Sequence, residues 1–167
     1  VISHSMNAAI TLGRCKLDIP KPEATAPGYI KTVRHAIEQG WSKENIGSHI
    51  IRNNHISHCE KNGIHGSLGG IFSTIESNVI CNIATEGWTY GPERAGIKLL
   101  GSQDVLIKGN RMVNCMKGIW IDWMAQGARI TGNLCYNNLY QDFYAEVNHG
   151  PYLVDNNLFL SLCSVWD

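Results

Sequence analysis

The chain has 167 residues, 44% hydrophobic and 17% charged, with 14 Lys and Arg against 14 Asp and Glu. That is enough for one domain with a real core and too apolar for wholesale disorder. The even charge balance makes nucleic acid a poor partner, and the longest apolar runs fall far short of a membrane span.

In chain order, the first strings are Ile2 and Ala9-Ile10-Thr11, which align with the later Ile56 and Gly63-Ile64-His65. The chain is therefore expected to begin in mid-coil. An excursion follows from Gly13 to about Glu44, marked as loop by Pro20, Pro22 and Pro27. Within it, Gly28 to Gly40 carries Ile30, Val33 and Ile37 at helical spacing, with Gly40 placed as a C-cap. A short helix is predicted near residues 29–39, inside a loop/helix insertion at about 13–44.

From there a repeat of roughly two dozen residues takes over. Its signature is aliphatic-x-x-Asn-x-apolar: Ile51, Asn54, Ile56; Ile75, Asn78, Ile80; Ile107, Asn110, Met112; Ile130, Asn133, Cys135; Val154, Asn157, Phe159. The asparagines are 24, 32, 23 and 24 residues apart, and the Gly/Pro-containing insertion from Thr85 to Arg94 accounts for the 32. A second short strand follows each asparagine turn, as in Gly63-Ile64-His65, Gly96-Ile97-Lys98, Gly118 to Asp122 and Asp142 to Glu146. Such strands bury nothing alone; stacked coils give a continuous apolar interior, with the asparagines as a hydrogen-bonded ladder. The usual hand of parallel crossovers makes the coil right-handed. The fold class is all-β, a right-handed parallel β-helix. The chain stops soon after the last asparagine without a cap, so residues 1–167 read as one incomplete β-helix domain, a fragment of a longer protein.

The six cysteines (Cys15, Cys59, Cys81, Cys115, Cys135 and Cys163) form no CxxC or zinc-finger spacing, and they are expected to be reduced core thiols. No metal or cofactor is implied. Unpaired cysteine usage leans towards the cytoplasm, although no localisation follows, because a signal peptide would have been lost with a missing N-terminal part.

The register assigns faces. With Ile119 and Ile121 inward, Trp120 and Asp122 point out; with Phe143 and Ala145 inward, so do Tyr144 and Glu146. Asp122 and Glu146 then hold one place on adjacent coils, on strands about 4.8 Å apart. Lys98 and His65 extend this exposed face along earlier coils. Like charges stacked in a sheet repel, so something must compensate them. A retaining glycosidase uses two carboxyl groups roughly 5–5.5 Å apart, one as nucleophile and one kept protonated as acid. Two other readings stand beside it: solvated surface acids, and calcium ligands of a polysaccharide lyase with Lys98 or Arg129 as proton acceptor.

The strings Gly118-Ile-Trp-Ile-Asp122-Trp-Met-Ala-Gln-Gly127 and Glu146-Val-Asn-His-Gly-Pro-Tyr-Leu-Val-Asp-Asn-Asn157 resemble glycoside hydrolase family 120, β-xylosidases with a β-helix body. The resemblance runs through Ala95-Gly96-Ile97-Lys98 and Trp41-Ser42-Lys43, most of the chain. It implies that Asp122 is the nucleophile and Glu146 the acid/base. The family's inserted β-sandwich is lacking from this sequence.

The expected function is thus a retaining, exo-acting β-xylosidase that releases xylose from xylo-oligosaccharides. The alternatives are a calcium-dependent polysaccharide lyase and a non-catalytic carbohydrate-binding β-helix. Candidate substrate-binding residues are Glu93, Lys98, His65, Trp120, Trp123 and His149, with Gln126 and Arg129 supporting the catalytic loop. The expected partner is a small oligosaccharide, with neither nucleic acid nor membrane; a homo-oligomer of the full-length protein is left open.

Overall fold

The computed structural model describes residues 1–14, 26–42, 44–87, 91, 93–161 and 165–166. Among them, the chain opens with β1 (Ile2–Ser3) and β2 (Ala8–Arg14), then helix α1 (Ala26–Glu38). Regular coils follow: β3 (Ile50–Arg52), β4 (His55–Cys59), β5 (Asn62–Ser67); β6 (Thr74–Glu76), β7 (Val79–Ile83), β8 (Ala95–Leu100). The next are β9 (Leu106–Lys108), β10 (Arg111–Cys115), β11 (Ile119–Asp122); then β12 (Arg129–Thr131), β13 (Leu134–Tyr136), β14 (Phe143–Glu146). The last is β15 (Leu153–Asp155), β16 (Leu158–Phe159) and β17 (Val165–Trp166). Every strand pairs in parallel with its counterparts one coil away, and the strands form three sheets of a right-handed parallel β-helix.

There are thus three strands per full coil, where the repeat indicates two. The asparagine motif is two strands joined by a two-residue corner, the second residue being the asparagine. The residue before each ladder asparagine is left-handed: Asn53, Ser77, Gly109, Gly132 and Asn156 have φ of 54° to 65°. Asparagine and glycine reach that region at small cost, which explains the Asn-Asn and Gly-Asn dipeptides.

The ladder is continuous. Asn54, Asn78, Asn110 and Asn133 each donate a side-chain N–H to the Oδ1 of the next asparagine, at 2.9–3.1 Å. The same Oδ1 accepts the backbone N–H of the preceding rung. Asn78, Asn110, Asn133 and Asn157 also donate to a backbone carbonyl one coil back, those of Ile51, Ile75, Ile107 and Ile130. The polar turn is thereby satisfied inside the solenoid.

Aliphatic columns fill the interior. Ile75, Ile107 and Ile130 stack in one sheet, Ile56, Ile80, Met112 and Cys135 in the second, and Ile64, Ile97 and Ile119 in the third, all fully buried. The glycines opening the third sheet have a steric cause. A Cβ on Gly63, Gly96 or Gly118 would lie 2.4–2.9 Å from a backbone oxygen of the next coil. The expected alignment of the first strands holds, with Ile2 beside Ile56, and Ile10 and Thr11 beside Ile64 and His65.

Two expectations change. The helix starts earlier than predicted and buries Gly28, Thr32 and Ala36, while Ile30 and Ile37 are exposed. Its C-terminus does end at Gly40 (φ 82°): Gly40 donates to the Ile37 carbonyl and Trp41 to that of Ala36. Cys59, Cys115 and Cys135 are buried thiols, but Cys81 points outward towards His55 Nε2 at 3.6 Å. Burial raises the Cys115 thiol to about 12. Cys15, Cys163, Lys43, Pro20 and Pro22 lie outside the described residues. No described helix is long and apolar enough to cross a membrane.

Asn110 is an interior rung, so Asn110→Ala strands the Asn78 amides and the Ile75 carbonyl together. We expect a loss of about 3 kcal/mol, from roughly 1–3 kcal/mol per buried unsatisfied group. Urea unfolding of the full-length protein measures it, and an unchanged midpoint would show that the rung contributes nothing.

Candidate active site

The third sheet carries the site. Its parallel register sets Asp122 beside Glu146, Trp120 beside Tyr144, Lys98 beside Trp120, and His65 beside Lys98. The face assignment therefore holds, but the face is not open. Lys98 is fully buried, and Trp120 and Asp122 are 2% and 4% exposed. The surface-acid reading of Asp122 is overturned, because the outward side of this sheet is covered. Glu146 and Tyr144 stay half-buried.

Lys98 compensates the stacked acids. Its Nζ donates to Asp122 Oδ2 at 2.7 Å and lies 2.5 Å from Glu93 Oε2. Nζ also sits 3.1 Å from the centroid of the Trp120 ring. A fully desolvated ammonium persists only when paired, and here two carboxylates and a π-face share the task. Asp122 Oδ1 is buried and makes no hydrogen bond among the described residues.

Burial pushes the Asp122 carboxyl above its ordinary range. The hydrogen bond and charge of Lys98 pull it back without cancelling the rise, and the Trp123 backbone N–H acts in the same direction as Lys98. Glu146 is also raised, first by burial and then by the negative charge of Asp122, against Lys98 and Lys117. Two carboxyls thus stand on neighbouring strands. One is tied to an ammonium, and the other is raised by burial and then by the charge of the first.

A groove of about 400 Å³ opens over this sheet, lined by Gly91, Arg94, Lys117, Trp120, Tyr144 and Glu146 among others. Sequence reasoning missed Lys117 and Arg94. Lys117 Nζ is 4.1 Å from the Trp120 ring centroid, 5.5 Å from Tyr144 and 6.0 Å from Tyr140. Burial, then the charge of Lys98, lowers its pKa. Its one available signal was its place just before Gly118, at the entry to the strand that carries Asp122.

Other candidates scatter. Glu93 is brought to Lys98, and His65 lies half-buried beside it. Trp123 follows Asp122 and is half-buried with φ 44°. His149 and Gln126 are exposed. Arg129 is on a different sheet and pairs with Asp155 at 3.0 Å. Among the described residues, no group of three or more His, Cys, Asp or Glu is placed to hold a metal ion.

The model of the right-handed β-helix region matches residues 44–165. The chain belongs to that family. A solved structure described as the complex of XylC with xylose matches 98% of this β-helix chain at 43% identity and a TM-score of 0.85. The chain spans 26% of that protein's length. The match bears out the resemblance to glycoside hydrolase family 120 carried by the Asp122 and Glu146 strings. No curated protein matches the chain.

The coupling of the two acids has a direct readout. In Asp122→Asn the anionic neighbour that disfavours ionisation of Glu146 is gone, so Glu146 should titrate at lower pH than in the wild type. Carboxyl ¹³C NMR follows the titration, and an unmoved Glu146 would show that the two groups do not interact.

Proposed function

We propose that this chain is the catalytic section of a retaining, exo-acting β-xylosidase, with xylo-oligosaccharides as substrates. The observation that carries the reading is the register pairing of Asp122 with Glu146, one acid fixed by Lys98 and the other facing the groove. The match to a protein in complex with xylose supports the choice of sugar.

In the first step Asp122 attacks the anomeric carbon, and Glu146 gives its proton to the departing glycosidic oxygen. Lys98 holds Oδ2, so Oδ1 is the oxygen left for the new bond. In the second step Glu146, now a carboxylate, takes a proton from water. That water attacks the same carbon and breaks the ester to Asp122. Burial and the charge of Asp122 raise Glu146, the direction a proton donor needs, while Lys98 limits the rise at Asp122. Trp120 is packed by two ammonium groups, which leaves Tyr144 as the aromatic side chain better placed to meet a sugar.

Glu93 would reach sugar hydroxyls from the edge of the Lys98 cluster. The lyase reading needs a free base on this face, and Lys98 is instead committed to two carboxylates.

The test uses full-length enzyme and dinitrophenyl β-xyloside. Asp122→Ala should lower turnover by at least about 10⁴-fold, the scale of losing a nucleophile. Added azide should restore it, with α-xylosyl azide as the product. Activity that survives in Asp122→Ala would remove the assigned nucleophile. Chelator-sensitive release of an unsaturated product absorbing in the near ultraviolet would move the protein to the lyases.

A further inference from the structure

The turn that ends β11 is unusual. Trp123 and Met124, directly after Asp122, are both left-handed, at φ 44° and 58°. Consecutive non-glycine residues in that region, one of them a tryptophan, are strained and need to be held. The backbone supplies part of the hold: Trp123 and Met124 donate their N–H groups to the carbonyls of Glu146 and Val147.

Asn148 supplies the rest. Its Nδ2 donates to the Ile121 carbonyl at 3.0 Å, and its Oδ1 accepts the Ala125 N–H at 3.2 Å. These two backbone groups bracket Asp122, Trp123 and Met124. The device is the ladder clip seen at the asparagine corners. There, Asn157 donates to the Ile130 carbonyl and accepts the Asn133 N–H, spanning Thr131 and Gly132. At Asn148 the same clip encloses one more residue, and the first of the three is the buried acid.

Asn148 is also two residues beyond Glu146, so one side chain ties the ends of the strands that bear both carboxyls.

We propose that Asn148 is a positioning residue that fixes the turn after β11 and thereby aims Asp122 Oδ1 at the anomeric carbon. This rests on the reading of Asp122 as nucleophile. Lys98 fixes the carboxylate from one side through Oδ2, and Asn148 fixes the backbone that carries it. A carboxylate misplaced by about 1 Å costs on the order of 100-fold in rate.

The experiment treats full-length wild type, Asn148→Ala and Asn148→Asp with 2,4-dinitrophenyl 2-deoxy-2-fluoro-β-xyloside and follows dinitrophenolate release. That leaving group departs without a proton from Glu146. The first-order rate therefore reports attack by Asp122, and the amplitude counts competent sites. For Asn148→Ala the amplitude should stay near one per chain while the rate falls about 100-fold. Asn148→Asp keeps the acceptor for Ala125 and loses the donor to Ile121, so its rate should fall between. If the alanine variant does not fold, the aspartate variant carries the same comparison.

A wild-type rate overturns the proposal, whether the amplitude is full or reduced; with reduced amplitude it assigns Asn148 to folding alone. Asp122→Ala separates the two readings, since it should release no dinitrophenolate. Release from that variant would overturn the nucleophile assignment itself, whatever the Asn148 variants do.

Discussion

Each coil of this chain must pass its backbone hydrogen bonds to the next at one fixed register. The asparagine ladder is what fixes it. A rung accepts the N–H of the preceding asparagine and donates to the carbonyl three residues before that asparagine, so a slip in either direction breaks several buried bonds together. Register in a sheet otherwise rests on which face is apolar, and a one-residue slip exchanges the faces. With the ladder in place, the isoleucine columns stay inside, and the residues between them stay on the outer side of the third sheet.

That constraint creates an electrostatic problem and also its solution. It stacks Asp122 on Glu146, which like charges resist. It also stacks Lys98 one coil earlier, beside Trp120, where its ammonium reaches Asp122 and Glu93. Burial of this cluster strengthens every term in it. An uncompensated acid would not tolerate that environment, and a compensated one acquires a defined orientation. The proposed chemistry depends on the asymmetry that results: Asp122 is tied to a cation, and Glu146 lines the groove with its pKa raised.

Much of this was legible in the sequence, and the rest was hidden for physical reasons. Ile56, Ile80, Met112 and Cys135 recur at a period that only stacked coils explain, and the same ruler set Asp122 beside Glu146. The third sheet was invisible because strands of three residues, such as Ile50–Arg52, are separated from their neighbours by only two residues, one of them left-handed, and read as one run. The cover over Lys98 and Asp122 was invisible because period-two alternation separates faces without saying what lies over each one. The helix was legible from the spacing of Ile30, Val33 and Ile37, but its buried face was not, since Thr32 and Ala36 are buried and Ile30 and Ile37 exposed. In Asn148-His149-Gly150 the histidine drew attention as a titratable group, whereas the asparagine makes the contacts and the histidine is exposed. Ladder asparagines elsewhere in the chain were the signal that could have found it.

The 32-residue interval between Asn78 and Asn110 has a wider consequence. The extra length lies between β7 and β8, the segment that brings Glu93 to Lys98, while the asparagine corners on both sides keep their two residues. Chain length is therefore free at one edge of the third sheet and locked at the corners. A lineage of such coils can lengthen or shorten the wall of the groove, and so reshape what enters it, without moving either acid relative to the other.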